Sequence, residues 1–164
     1  MQEYLRQSCL DMYSTNEHWL GSLTPEVLED GHVRNACAVP PESGNYFGFA
    51  FGGFLMSLVD VTGCCVPWTL GKYVVTQTAD VHFIKGVKVG ARVFVDASCV
   101  HIGRTSCIVD VRIEDESGDV LLTATLTAHI VGDISPDDPR PGDPQGPSVI
   151  LERFQRERSK AAGK

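Results

Sequence analysis

The sequence predicts an α+β domain in which one antiparallel sheet wraps around a single, very apolar helix. Two observations carry this reading. Residues Gly52 to Val66 hold Phe54, Leu55, Met56, Leu58, Val59 and Val61 without strict alternation over about four helical turns, the pattern of a buried helix. Beyond Gly71 the pattern changes to period two and keeps it through four segments, the mark of half-buried strands. One strand before the helix adds a fifth member, and such a sheet buries the helix without any parallel crossover unit.

From the N-terminus, Gln2 to Trp19 places Tyr4, Leu5, Leu10, Met12 and Tyr13 at loosely helical spacing, and Thr24-Pro25-Glu26 resembles a cap followed by proline in a first turn. One or two short helices are therefore expected within residues 1–30. His32 to Val39 reads as a strand, and Pro40-Pro41-Glu42-Ser43-Gly44-Asn45 breaks regular structure into a loop. Pro67 or Gly71 should end the central helix. In the first strand after it, Val75, Ala79, Val81 and Phe83 are expected on one face, with Thr76, Thr78, Asp80 and His82 on the other. A turn from Lys85-Gly86 to Gly90 leads into Arg92 to Ile102. Gly103-Arg104 opens the next strand, through about Glu114. Ser117-Gly118-Asp119 is a hairpin signal, and Leu122, Ala124, Leu126, Ala128 and Ile130 then share one face. Ile134 to Ser148, rich in Pro, Asp and Gly, reads as a linker or extended arm. Val149 to Lys160 reads as a short amphipathic helix that either docks or frays. The expected division is a domain over residues 1–132 and an appended segment over 133–164.

Charge narrows the function. With 14 Lys plus Arg against 21 Asp plus Glu the formal net charge is -7, the wrong sign for wrapping a phosphate backbone or an anionic membrane. The apolar run from Phe47 to Pro67 contains Asp60, several glycines and a terminal proline, too broken to span hydrocarbon. Met1 to Leu10 has no basic segment followed by an apolar one, so no signal peptide is expected and the protein is placed in the cytoplasm. The six cysteines include no CxxC pair and read as free, mostly buried thiols. The five histidines show no ligand spacing, so no metal is expected.

Asp60 is the one carboxylate between Asn45 and Lys72. A lone ionised acid within so apolar a helix must face a cavity, meet a partner, or carry out chemistry as a general base or nucleophile. Gly52 and Gly53 open the same helix with backbone N–H groups that a carbonyl oxygen could approach closely, an oxyanion site in outline. Gly53 and Asp60 share a helix face but lie about 10 Å apart along the axis, too far for one acyl carbonyl to touch both. If both act on one substrate, the acid comes from a second helix related by a two-fold axis, and the protein is a homodimer with two composite sites.

The stretch Asn45-Tyr46-Phe47-Gly48-Phe49-Ala50-Phe51-Gly52-Gly53, followed by Leu58-Val59-Asp60, then Val74-Val75-Thr76 with Gly90 and Gly103-Arg104, resembles the PaaI-like hotdog-fold acyl-CoA thioesterases, including the acyl-CoA thioesterase 13 group. The resemblance runs from about His32 to Val131. Members are similar in reading Asn, five residues, His-Gly-Gly, and an Asp nine positions after the His. Here that spacing is kept, but Phe51 replaces the His.

The resemblance implies a hotdog fold, with an antiparallel five- to six-stranded sheet around one central helix, an N-terminal helix and a C-terminal arm. It implies hydrolysis of an acyl- or aryl-CoA to free acid and coenzyme A by a dimer or dimer of dimers. No cofactor is implied beyond the coenzyme A of the substrate. Asp60 would be the general base or nucleophile. Gly52 would donate its N–H to the thioester oxygen, Asn45 would help hold the thioester, and Thr76 would orient the lytic water or the Asp60 carboxylate. Phe51, Gly53 and Ser57 would line the substrate site, with Phe47 and Phe49 making its entrance apolar. Lys85, Lys88 and Arg104 would meet the phosphates of coenzyme A. Because Phe51 removes the family His, a non-catalytic acyl-CoA-binding or regulatory module on the same fold is the competing expectation. An enoyl hydratase ranks below both, since no His follows Asp60 before His82.

Overall fold

The computed structural model describes residues 1–15 and 23–162. Helix α1 (Glu3–Thr15) is followed by strands β1 (Leu23–Glu29) and β2 (His32–Ala38), a single 3-10 turn at Pro41–Ser43, and the central helix α2 (Gly52–Thr69). Strands β3 (Lys72–Phe83), β4 (Arg92–Ile102), β5 (Ser106–Asp115) and β6 (Val120–Asp133) come next, and helix α3 (Gly146–Ala162) ends the described chain. The six strands form one antiparallel sheet in the order β1-β2-β4-β5-β6-β3. β3 is therefore a free edge, twelve residues long.

Helix α2 lies on one face of this sheet. Leu58, Val59 and Val66 are buried with Val93, Val95, Val109, Ile113, Leu122 and Leu126 in one core, the last two on the face that the period-two pattern assigned them. Gly63 marks the closest approach, where a Cβ would stand 2.1 Å from Leu126 Cδ1. One polar cluster crosses the core: Asn35 Nδ2 donates to Tyr13 Oη and to Thr62 Oγ1, each at 2.9 Å, pinning α1 and α2 to β2.

Several expectations are corrected. Thr24-Pro25-Glu26 does not cap a helix but lies in β1. That strand is an outer edge, where the N–H that proline lacks need not be paired, and the register shifts between Pro25 and Val27 to accommodate it. Among the described residues the N-terminal region has one helix, α1, and the end of the expected helical stretch, 16–19, lies outside them. Gly71, the second of the two expected stops, ends α2, and Pro67 does not. Only its own N–H is lost, and the helix runs on to Thr69 before Gly71 turns the chain with φ of 74°. The hairpin at Ser117-Gly118-Asp119 forms as expected, with Asp115 Oδ1 accepting the N–H groups of Ser117 and Asp119. These bonds hold the Asp115 carboxyl below its ordinary range, the Ser117 hydroxyl contributing most.

The C-terminal segment docks rather than frays. Phe154 of α3 is buried, its ring 2.0 Å from where a Gly132 Cβ would be, and Arg153 donates to the Asp133 carbonyl and to Asp138. Ile134 is buried, so the arm starts anchored. No helix among the described residues is long and apolar enough to cross a membrane.

Candidate active site

Phe51 is the N-cap of α2 in extended conformation, and its side chain offers no oxygen to the first turn. Its carbonyl takes the N–H groups of Phe54 and Leu55. The Gly52 and Gly53 N–H groups are left without an acceptor among the described residues, at the positive end of the helix dipole. Gly53 faces open space, while the Phe83 ring lies over Gly52, 3.2 Å from where its Cβ would be.

The loop before the helix is folded on itself by Asn45. Its Oδ1 accepts the N–H of Phe47 at 2.9 Å and of Phe49 at 3.2 Å, and Gly48 makes the turn with φ of 77°. The side-chain carbonyl of Asn45 is thus committed to its own loop, leaving only its amide N–H groups for anything else. Hydrogen bonds from Ala50 N to Val87 O and from Val89 N to Gly48 O tie this loop to the β3–β4 connection. Tyr46, Phe47 and Phe51 are exposed, whereas Phe49 packs on Gly86.

Two turns into α2, Asp60 stands on the exposed side of the helix toward the free edge of β3. It is neither buried nor unpaired: Thr76 Oγ1 donates to its Oδ1 at 2.6 Å. A bulge in β3 makes this contact possible. Thr76 lies opposite Ala128 and Ala79 opposite Leu126, so both point to the α2 face, with the shift in register between Thr76 and Thr78. Simple alternation had put Thr76 on the other face from Ala79. The extra residue, Gln77, switches the parity and aims the hydroxyl at Asp60.

Cys64, one turn beyond Asp60, completes the cluster. Its Sγ is 3.1 Å from Thr76 Oγ1. Since the Thr76 proton goes to the carboxylate, the thiol is the donor to Thr76, giving a relay from Cys64 S–H through Thr76 O–H to Asp60. Burial pushes the Cys64 thiol up to about 11, so it stays protonated at neutral pH and is a poor nucleophile. Sequence reading did not single out Cys64. The signal was its i+4 spacing from Asp60.

Other expected site residues are more scattered. Ser57 Oγ donates back to the Gly53 and Phe54 carbonyls of its own helix. Lys85 is exposed and paired with Asp119 at 2.5 Å, a contact that raises its pKa. Lys88 is exposed and pairs through its backbone with Phe49, beside the Asn45 loop. Arg104 sits in the β4–β5 turn next to Thr105, whose carbonyl accepts the Ile130 N–H, while the Lys85 N–H bonds the Leu121 carbonyl. Nine residues of β6 separate these anchor points, about 30 Å along the strand. Lys85 and Arg104 are thus at opposite ends of one chain and do not meet.

The geometry provides a carboxylate held by a hydroxyl, able to serve as base or nucleophile. It also provides unsatisfied backbone donors for an oxyanion at Gly52 and Gly53, eight and seven residues before Asp60 on the same helix.

A model of the thioesterase superfamily matches residues 47–122. An uncharacterised acyl-CoA thioester hydrolase of Buchnera aphidicola is 35% identical over 75 residues, 44% of this chain and 56% of that protein. The chain thus spans little more than half the length of that relative. The acyl-CoA thioester hydrolase YciA of Escherichia coli is 31% identical over 94 residues, 56% of this chain and 70% of its own. Among solved structures, a hypothetical thioesterase of Streptococcus pneumoniae with coenzyme A superposes with a TM-score of 0.74 at 32% identity, covering 77% of this chain and 98% of that one. Forms of the pneumococcal protein with an aspartate or a threonine replaced by alanine are also solved. Those two residues are sixteen positions apart, the spacing of Asp60 and Thr76. The E. coli PaaI protein shares the fold at 19% identity, with a TM-score of 0.74 over 80% of this chain and 96% of its own.

Proposed function

The chain belongs to the thioesterase superfamily, of hotdog fold, and from that premise we propose that it hydrolyses an acyl-CoA thioester to the free acid and coenzyme A. The observation that carries the reading is the 2.6 Å bond from Thr76 to Asp60 on the open side of α2. A carboxylate so held presents its second oxygen to a water or to the thioester carbon itself. As base it takes a proton from water that attacks the carbonyl. As nucleophile it attacks the thioester carbon and the C–S bond breaks to release coenzyme A, leaving an anhydride that water opens to the free acid and the Asp60 carboxylate. In both routes negative charge develops on the carbonyl oxygen and needs donors already in place.

Gly52 and Gly53 are the donors in this reading, supplied by a second copy of the chain. The free β3 edge supports that assembly: it is long, and Val75 and Phe83 on it are exposed, as is Met56 on α2. Pairing of β3 with its symmetry mate would cover this edge. It would run the two α2 helices antiparallel, with the Gly52 end of each near Asp60 of the other. Phe51 leaves such a site intact in its essentials, because the oxyanion donors belong to the backbone. Of the three cations, Lys88 is placed beside the helix entrance and suits a coenzyme A phosphate, whereas Arg104 is at the far end of its own chain. None of the six cysteines forms a disulfide among the described residues, which suits action in a reducing compartment such as the cytoplasm.

The test is thiol release from short, medium, long and aryl acyl-CoAs by the wild type and Asp60→Ala. Release that depends on Asp60 supports the reading. No release above the variant on any substrate overturns it in favour of an acyl-CoA-binding module. Thr76→Ala is expected to slow turnover about tenfold, the worth of about 1.4 kcal/mol in the transition state. An unchanged kcat would remove Thr76 from the mechanism.

A further inference from the structure

Away from Asp60 and Thr76, a cavity of about 400 Å³ lies where α3 and the arm before it fold back on the body of the domain. Its walls include Trp68, Tyr73, Val74, Ile150, Leu151 and Phe154, and Arg140 is its one charged lining residue. That volume falls within the range of small-molecule pockets, and so apolar a lining suits a hydrocarbon group.

Two features connect this cavity to the catalytic pair. Val74 precedes Thr76 by two residues and lies opposite Ile130, so both point to the α2 side of the sheet. Trp68 lies one turn beyond Cys64, which lies one turn beyond Asp60, all on successive turns of α2. Asp60, Cys64 and Trp68 thus run along the seam between α2 and β3, and residues 61–68 of α2 carry no charged side chain. The aromatic rings continue the seam, Trp68 against Tyr73 at 5.2 Å and Tyr73 against Phe154 at 5.7 Å. The wall formed by α3 lies outside the part of the chain that the thioesterase model matches, residues 47–122. The coenzyme A-bound pneumococcal protein is almost wholly covered by 77% of this chain. The cavity is therefore built partly from residues outside the stretch that the family model matches.

We propose that the C-terminal arm and helix form the receptacle for the far end of the substrate's acyl chain, so that the enzyme selects long aliphatic acyl-CoAs. The proposal rests on the thioesterase reading and names its substrate class. From Asp60 to Trp68 the path along α2 is about 12 Å. An extended alkyl chain advances about 1.3 Å per carbon, given C–C bonds of about 1.5 Å. The first carbons to enter the cavity are about the ninth and those beyond it. Acetyl and butyryl groups end short of it, while decanoyl and longer groups reach Trp68 and Phe154.

The experiment compares kcat/KM for dodecanoyl-CoA and butyryl-CoA in the wild type, in Ile150→Trp, which fills the cavity from the half-exposed side of α3, and in Gln155→Trp, which adds the same ring outside it. The dodecanoyl to butyryl ratio should fall about tenfold or more in Ile150→Trp, as two methylenes lose their burial, and stay at the wild-type value in Gln155→Trp. An unchanged ratio in Ile150→Trp, with Asp60-dependent turnover present, overturns the receptacle and leaves the thioesterase reading standing. If no substrate is turned over, binding decides. The unhydrolysable thioether S-dodecyl-CoA should bind Ile150→Trp about tenfold more weakly than wild type, while S-butyl-CoA binds both alike. Equal changes for the two thioethers overturn the proposal.

Discussion

Asp60→Asn is expected to lower thioester hydrolysis by about a hundredfold or more, within the range of 10² to 10⁴ typical of a general base, with the fold and assembly unchanged. The substitution keeps the size of the side chain and an oxygen for the Thr76 hydroxyl, so the 2.6 Å contact can persist. What is lost is the charge that accepts a proton or attacks the thioester. Because Asp60 is on the exposed side of α2, neutralising it exposes no unpaired buried group, and thermal stability should stay close to wild type. Measuring kcat and the unfolding midpoint on the same preparation separates chemistry from folding. Retention of more than about a tenth of the wild-type rate would exclude Asp60 as the essential group.

Gly52→Pro is expected to cost about 10² to 10³ in kcat by removing one oxyanion donor, a loss of about 2.7 to 4 kcal/mol. Gly52 is the first residue of α2, the position at which proline is best tolerated, and its N–H has no partner in the chain to lose. Phe51, at φ of -60° and ψ of 139°, already has the extended conformation that proline requires of its predecessor. A Cβ added at Gly52 meets the end of the exposed Phe83 ring. Gly52→Ala is the control, since it meets the same ring but keeps the N–H. Loss in the proline variant alone assigns the effect to the donor, while equal loss in both assigns it to crowding at Phe83 and removes the oxyanion role.

The main architecture was legible because both of its periods are plain in the chain. Continuous apolar residues from Phe54 to Val61 marked α2, and alternation marked β3 to β6. Where reading failed, local chemistry imitated something else or the decisive fact was non-local. Thr24-Pro25-Glu26 carries the residues of a helix cap, and only the pairing of β1 with β2 makes it an edge strand. Asp60 looked buried because its neighbours in sequence are apolar, yet it occupies the one side of α2 that the sheet leaves open.

Thr76 was singled out on its family resemblance, but alternation alone would have turned it away from Asp60. The bulge at Gln77 that reverses this leaves no mark in the hydrophobic pattern, since Gln77, Thr78 and Thr76 are all polar. Lys85 and Arg104 show the converse. Both stand in turns, and nothing in the spacing of turns tells which end of the sheet each occupies.

In the proposed dimer each site takes its carboxylate from one protomer and its oxyanion donors from the other. The most direct measurement co-expresses Asp60→Asn chains and Gly52→Pro chains under different affinity tags and assays the species retained through both. In such a mixed dimer one site carries both defects and the other carries neither, so activity should return to about half of the wild-type rate per dimer although each parent is nearly inactive. A mixed dimer no more active than its parents would contradict the account, placing both functional groups of each site in a single chain.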